Sequence, residues 1–171
     1  FQRLAVDVQP ELITMENVPQ LRNHKVFEEF VLSLKNCGYY VWFDVVNCSD
    51  YGLPQNRRRL ILLASKLGEI AFDLPKISKK MTVRQAIGNL PEVNAGQICT
   101  NDELHRSPKL RDINQKRMIH SLPGGTWEDW PEEIRAECHK KNSGMTYKSV
   151  YGRMSWDETS PTITTQCYGF G

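Results

Sequence analysis

The sequence predicts an α/β protein built on a wound sheet, and three features carry that prediction. The run ELITMEN, residues 11–17, is apolar until it gives out into polar residues, as a buried strand does on reaching the rim of a sheet. Val26, Phe27, Phe30, Val31 and Leu34 then recur at helical spacing, with Glu28, Glu29, Ser33 and Lys35 between them and Gly38 as a stop signal. YYVWFDVV at 39–46 and RLILLAS at 59–65 are rich in aromatic and branched residues and read as two further strands. Strand, helix, strand is the order of a wound sheet, and such sheets bind ligands outside the carboxyl ends of their strands. Glu16 and Asn17 close the first strand and so fall in that place.

Beyond about residue 72 the character changes. DLPKISKKMTVRQAIGNLPEVNAG is punctuated by proline and glycine, with a short helical pattern in TVRQAIGNL for which Thr82 is the cap. The stretch 101–149 is polar, aromatic and loop-rich, with one helix expected after Pro131, and a short strand is expected at PTITT near the end. These segments form a smaller, irregular second unit, without internal repeat or low-complexity tract.

With 171 residues the chain holds one domain with a sizeable core, or one domain and an appendage. An apolar fraction of 40% and a charged fraction of 25% are those of an ordinary globular protein. No apolar run approaches the roughly 20 residues that span a bilayer, so no membrane partner is expected. The five cysteines are odd in number and scattered, and no signal peptide opens the chain, which fits reduced thiols in a cytoplasm. Cys99, His105, His120, Cys138 and His139 lack the pairwise spacing of a zinc site, and no metal is expected. A net charge of +2 is too small to demand a polyanionic partner, so a case for nucleic acid rests on where the charge sits.

It sits most densely in PQNRRR, residues 54–59, at the mouth of an apolar strand. In extended chain Gln55, Arg57 and Arg59 project to one side while Asn56 and Arg58 project to the other. Two guanidiniums on one face form a fork for phosphate or carboxylate oxygens and can orient a carboxylate opposite.

Taken in order, ITMENV, Gly38-Tyr39, YGLPQNRRRLILLA and GRMSWDETSPTITT resemble the DNA cytosine-5 methyltransferase family over most of the chain. The Glu-Asn-Val tripeptide and the Gln-x-Arg-x-Arg motif, followed by a variable region and an Arg and Pro-x-x-Thr segment, form an ordered set of family blocks. TVRQAIGNLP and VYGRMSWDETSPTITT are further similar to the bacterial, restriction-modification branch. The resemblance implies the later half of a Rossmann-like methyltransferase sheet over 1–74, a small irregular target-recognition region over 75–150, and a return segment toward the catalytic domain over 151–171.

It also implies a chemistry. In this family a cysteine thiolate adds to C6 of a cytosine flipped out of double-stranded DNA, and C5 then takes a methyl group from S-adenosylmethionine. Glu16 matches the residue that holds the cytosine N3, Arg59 the one that contacts O2, and Arg57 the one that supports the same pocket. Asn17, Val18 and Gln55 match pocket organisers, and Arg58, Arg153 and Thr164 are placed toward DNA. The cofactor-binding glycine motif and the Pro-Cys catalytic loop precede Glu-Asn-Val in the family, and neither stands in this sequence. The chain therefore reads as an excerpt or one half of a split enzyme, inactive alone and completed by the missing part or a complementary subunit. A non-catalytic DNA-binding subunit, a transfer-RNA cytosine-5 methyltransferase and a degenerate, inactive relative are the alternatives.

Overall fold

The structure, a computed structural model, describes residues 1–140, 148 and 151–163 and divides the chain into two compact units, Phe1–Lys80 and Met81–Gly171.

The first unit opens with helix α1 (Gln2–Val8), strand β1 (Leu12–Asn17) and a 3₁₀ turn over Pro19–Asn23. Helix α2 (Lys25–Asn36), strand β2 (Tyr40–Asn47) and strand β3 (Arg58–Ser65) complete it. α2 is amphipathic as its spacing dictates: Phe27, Phe30, Val31 and Leu34 are buried along one stripe. It ends where Gly38 takes φ +84°, a left-handed conformation that costs glycine nothing, and the Tyr39 amide returns to the Leu34 carbonyl at 3.1 Å. Under the helix lie Leu60, Leu62 and Ala64 of β3, all fully buried, with Ile13 and Met15 on one side and Val41, Phe43 and Val45 on the other. Full burial of each leucine contributes about 1.5–3 kcal/mol. Phe72, in the chain after β3, stacks on Trp42 from the other face of the sheet, with ring centroids 6.0 Å apart.

The strand order is β1-β3-β2, and β3 runs antiparallel to both neighbours. β1 and β2 are thus parallel to each other, joined over α2, and β3 returns between them. This placement has a direct consequence for the site. The amino end of β3, where the arginines stand, lies at the same rim as the carboxyl ends of β1 and β2.

The second unit is assembled from short pieces: helix α3 (Val83–Ile87), a hairpin of strands β4 (Ile98–Cys99) and β5 (Asp102–Arg106), and helix α4 (Asp112–His120). Thr82 caps α3 in a reciprocal capping box with Gln85. Replacing Thr82 by Ala is expected to cost about 1 kcal/mol, measured as a shift in the urea midpoint of the full protein. α3 is also tied to the later chain, because the Val83 and Arg84 amides donate to the Glu158 and Trp156 carbonyls, both at 2.8 Å. Arg84 grips Asp157 with two hydrogen bonds, of 2.8 and 3.0 Å, and this holds the Asp157 carboxyl below the usual carboxylate range.

The centre of this unit is Trp130, 1% exposed, whose indole N–H donates to the Ser121 hydroxyl at 2.8 Å. His139 stacks on Trp127 at 4.3 Å, and burial, with Arg117 and Arg135 nearby, lowers its pKa. The helix expected after Pro131 is replaced by two 3₁₀ turns, Glu132–Ile134 and Glu137–His139. Arg135 and Ala136 between them are extended, and the Arg135 guanidinium reaches the Trp130 and Glu128 carbonyls. These bonds to the core outweigh the modest helix preference of the segment. Of the strand expected at PTITT, Pro161–Ile163 carry no regular structure, and Thr164 and Thr165 lie outside the described residues. No described helix is long and apolar enough to cross a membrane.

Candidate active site

Two residues far apart in sequence meet at the shared rim of the sheet. In the β1–β3 ladder Glu16 faces Ile61 and Asn17 faces Leu60, so Glu16 and Arg59 project from the same face one step apart. The Arg59 Nε donates to Glu16 Oε1 at 2.5 Å. The arginine side chain is 18% exposed and the carboxylate 54% exposed. The carboxyl of Glu16 is thus half-open while the guanidinium that holds it is largely buried, which leaves the carboxyl accessible to a further polar group. Arg59 is itself oriented by a bond from Nη1 to the Arg58 carbonyl at 2.8 Å.

The turn before β3 follows the predicted alternation. Gln55, Arg57 and Arg59 are half-buried, while Asn56 and Arg58 are exposed. Arg57 makes no ion pair among the described residues, and its backbone is held by the Cys48 amide, which donates to its carbonyl at 2.9 Å. Asn17 turns its side-chain oxygen back onto the Val18 amide at 2.8 Å, closing the bend by which the chain leaves β1. Val18 is exposed at the start of the 3₁₀ turn.

Arg153 lies in the second unit, where Nη1 donates to the Ser121 carbonyl at 2.7 Å and its backbone pairs with Gly124 and Gly125. Thr164 lies outside the described residues. The sequence reading passed over Asn47 and Ser49 and gave Asn56 no role beyond its side of the chain, yet these three knot the turn beside the arginines. The signal was an Asn closing a strand two residues before a Ser, the pattern of a side chain capping its own turn.

Two grooves mark the first unit. One, of about 440 Å³, is lined by Arg22, Phe27, Lys35 and Phe43 among others. The other, of about 300 Å³, lies between α1 and β1 and is apolar apart from Thr14. Neither is lined by Glu16, Asn17, Arg57 or Arg59. The apolar groove has no carboxylate for ribose hydroxyls and no partner for a charged amino acid, so it does not fit S-adenosylmethionine.

The whole chain, residues 1–171, matches the family model described as C-5 cytosine-specific DNA methylase. It is 50% identical to the Type II methylase M.HgiDII of Herpetosiphon aurantiacus, over all of this chain and 50% of that protein. It is 35% identical to the Type II methyltransferase M1.BsuMI of Bacillus subtilis, over 95% of this chain and 37% of that protein. The chain thus spans half or less of the length of these relatives. A crystal structure of a DNA modification methyltransferase encoded within an E. coli prophage superimposes with a TM-score of 0.62 over 95% of this chain and 55% of that one. At 20% identity that likeness speaks for a shared fold alone, the α/β fold of a Rossmann-like methyltransferase. Matched by the family model over residues 1–171 and half identical to a Type II methylase along its whole length, this chain belongs to the C-5 cytosine-specific DNA methylase family.

Proposed function

We propose that the chain forms part of a DNA cytosine-5 methyltransferase, in which Glu16 and Arg59 grip the Watson–Crick edge of a cytosine flipped out of double-stranded DNA. The observation that carries this reading is the Glu16–Arg59 contact of 2.5 Å at the rim shared by β1 and β3. Cytosine presents N3 and O2 as neighbouring atoms on one edge, and a carboxyl touching a guanidinium offers two groups at matching spacing. When a nucleophile adds at C6, electron density moves toward N3 and O2. Glu16 in its protonated form donates its carboxyl hydrogen to N3 and gives up that proton as the density arrives, and Arg59 at O2 stabilises the charge that develops there.

Arg57, projecting on the same side, adds positive potential to the pocket, while Arg58 on the opposite side is available to a DNA phosphate. Gln55, Asn17 and Val18 shape the pocket wall, and Arg153 and Thr164 belong to the DNA-facing set. S-adenosylmethionine supplies the methyl group in an electrophilic form, and its binding is assigned to the part of the enzyme outside this chain, along with the nucleophilic cysteine. The chain alone is therefore inactive, and residues 75–150 serve target recognition. Likeness to proteins named Type II methylases supports a role in a bacterial restriction-modification system, and the reading puts that role in the cytoplasm.

The test is methyl transfer by the complete protein from labelled S-adenosylmethionine to unmethylated duplex DNA, with the product nucleosides separated. Label in 5-methylcytosine is the expected result. Label in N4-methylcytosine, in N6-methyladenine or only in transfer RNA overturns the reading.

A further inference from the structure

The turn between β2 and β3 carries Gln55 and Arg57 to the rim, and strand pairing does not fix its shape, because the β2–β3 ladder stops at Asn47 opposite Arg58. Side chains do so instead. Ser49 has no exposed surface, and its hydroxyl donates to Asn56 Oδ1 at 2.9 Å. Asn47 Nδ2 donates to the same oxygen at 3.4 Å, and Asn47 Oδ1 accepts from the Ser49 amide at 3.5 Å. A buried hydroxyl is costly without a partner, so this bond is not easily exchanged for water.

Asn56 is the middle residue of a three-residue turn that the Arg57 amide closes onto the Gln55 carbonyl. With the Asn56 side chain bound to Ser49, that turn is held in place, and Gln55 and Arg57 on either side of it are half-buried. Two backbone bonds reinforce the lock. The Cys48 amide donates to the Arg57 carbonyl at 2.9 Å, and the Arg57 amide to the Gln55 carbonyl at 3.0 Å. The outer side of the turn is anchored as well, because Asp50 accepts from the Ile77 amide at 2.8 Å and from Lys80 Nζ at 3.0 Å.

We propose that Ser49 and Asn56 are positioning residues for methyl transfer, their hydrogen bond setting the turn that aims Arg57 and Gln55 at the base pocket. The inference rests on the function proposed above. Neither residue touches the base; each acts through the arginine turn.

The test compares Ser49→Ala, Asn56→Ala, the double variant and Asn56→Asp in the complete methyltransferase, on duplex DNA with labelled S-adenosylmethionine. Each alanine variant is expected to lower kcat about 10- to 100-fold, since small misplacements of a positioned group cost that much, with KM for DNA within about twofold. The double variant is no slower than Asn56→Ala, because both changes remove one bond. Asn56→Asp keeps an acceptor oxygen for both donors and recovers most of the rate. Additive losses, an Asn56→Asp variant as slow as Asn56→Ala, or a kcat that tracks a fall in melting temperature across all the variants overturns the inference. Glu16→Gln measured alongside separates the two levels. If the parent protein methylates, Glu16→Gln does not and Asn56→Ala runs at full rate, only the positioning role fails. If the parent protein transfers nothing to DNA, the functional reading fails and this inference with it.

Discussion

Replacing Glu16 by Gln in the complete protein is expected to lower methyl transfer to duplex DNA by about 10²–10⁴-fold, the range over which a positioned acid–base group acts. Gln is nearly the same size and still hydrogen-bonds, so the change removes only the capacity to carry charge and share a proton. The ion pair to Arg59 is lost at the same time, but the glutamine amide oxygen can still accept from the Arg59 N–H, so the largely buried guanidinium is not left unpartnered. Stability should therefore hold while the rate collapses. On the proposed role of Glu16 the fall is expected in kcat rather than in DNA affinity, because a contact to N3 would strengthen only as density arrives there. Single-turnover rates and DNA binding measured on the same preparation check this. A Glu16→Gln enzyme within about threefold of the parent rate would mean that the carboxylate is a structural partner of Arg59 and no more.

Much of that site was legible in the sequence because local patterns dictate it. Exposure alternates along Gln55–Arg59 as the period-2 pattern expects, although the turn closed from the Arg57 amide to the Gln55 carbonyl interrupts the extended chain there. The four main elements of the first unit follow from apolar spacing, and the Thr82 cap follows from its Gln three residues on. The insertion of β3 between β1 and β2 is another matter. It is a long-range pairing that no local period encodes, yet it alone brings Glu16 to Arg59.

The second unit was the less legible one for a physical reason. α4 has Ile113, Met118 and Ile119 all partly or largely exposed, while its buried residue is Asn114, which accepts from Arg117 at 2.8 Å. A helix anchored by polar side chains offers no apolar stripe to detect. Arg135 broke the helix expected after Pro131 in the same way, through bonds to carbonyls that become neighbours only in the folded unit. α1, too, buries only Ala5, too little for a periodic signal.

Where so much of a unit is held by polar contacts, its few apolar anchors bear disproportionate weight, and Trp130→Ala is expected to cost about 3–5 kcal/mol. Trp130 is 1% exposed, and Arg117 lies over its ring at 5.7 Å. Truncation leaves a cavity and also strips the Ser121 hydroxyl of its indole donor. Ser121 is itself fully buried and accepts through its carbonyl from Arg153, so α4 and the segment around residue 153 lose a common support. Against a typical total of about 5–15 kcal/mol, such a loss is enough to open the unit. Trp130→Phe, which keeps most of the volume but not the N–H, should lose about 1–3 kcal/mol and separates the two contributions. Hydrogen exchange on the full protein reads the location directly: amides of α3 and α4 should lose protection in Trp130→Ala while those of β3 keep it. If β3 opened together with α4, the two units would share one cooperative transition, and methyl transfer would disappear with folding; if it stays closed, the same variant should lose DNA binding while its Glu16–Arg59 pair remains intact.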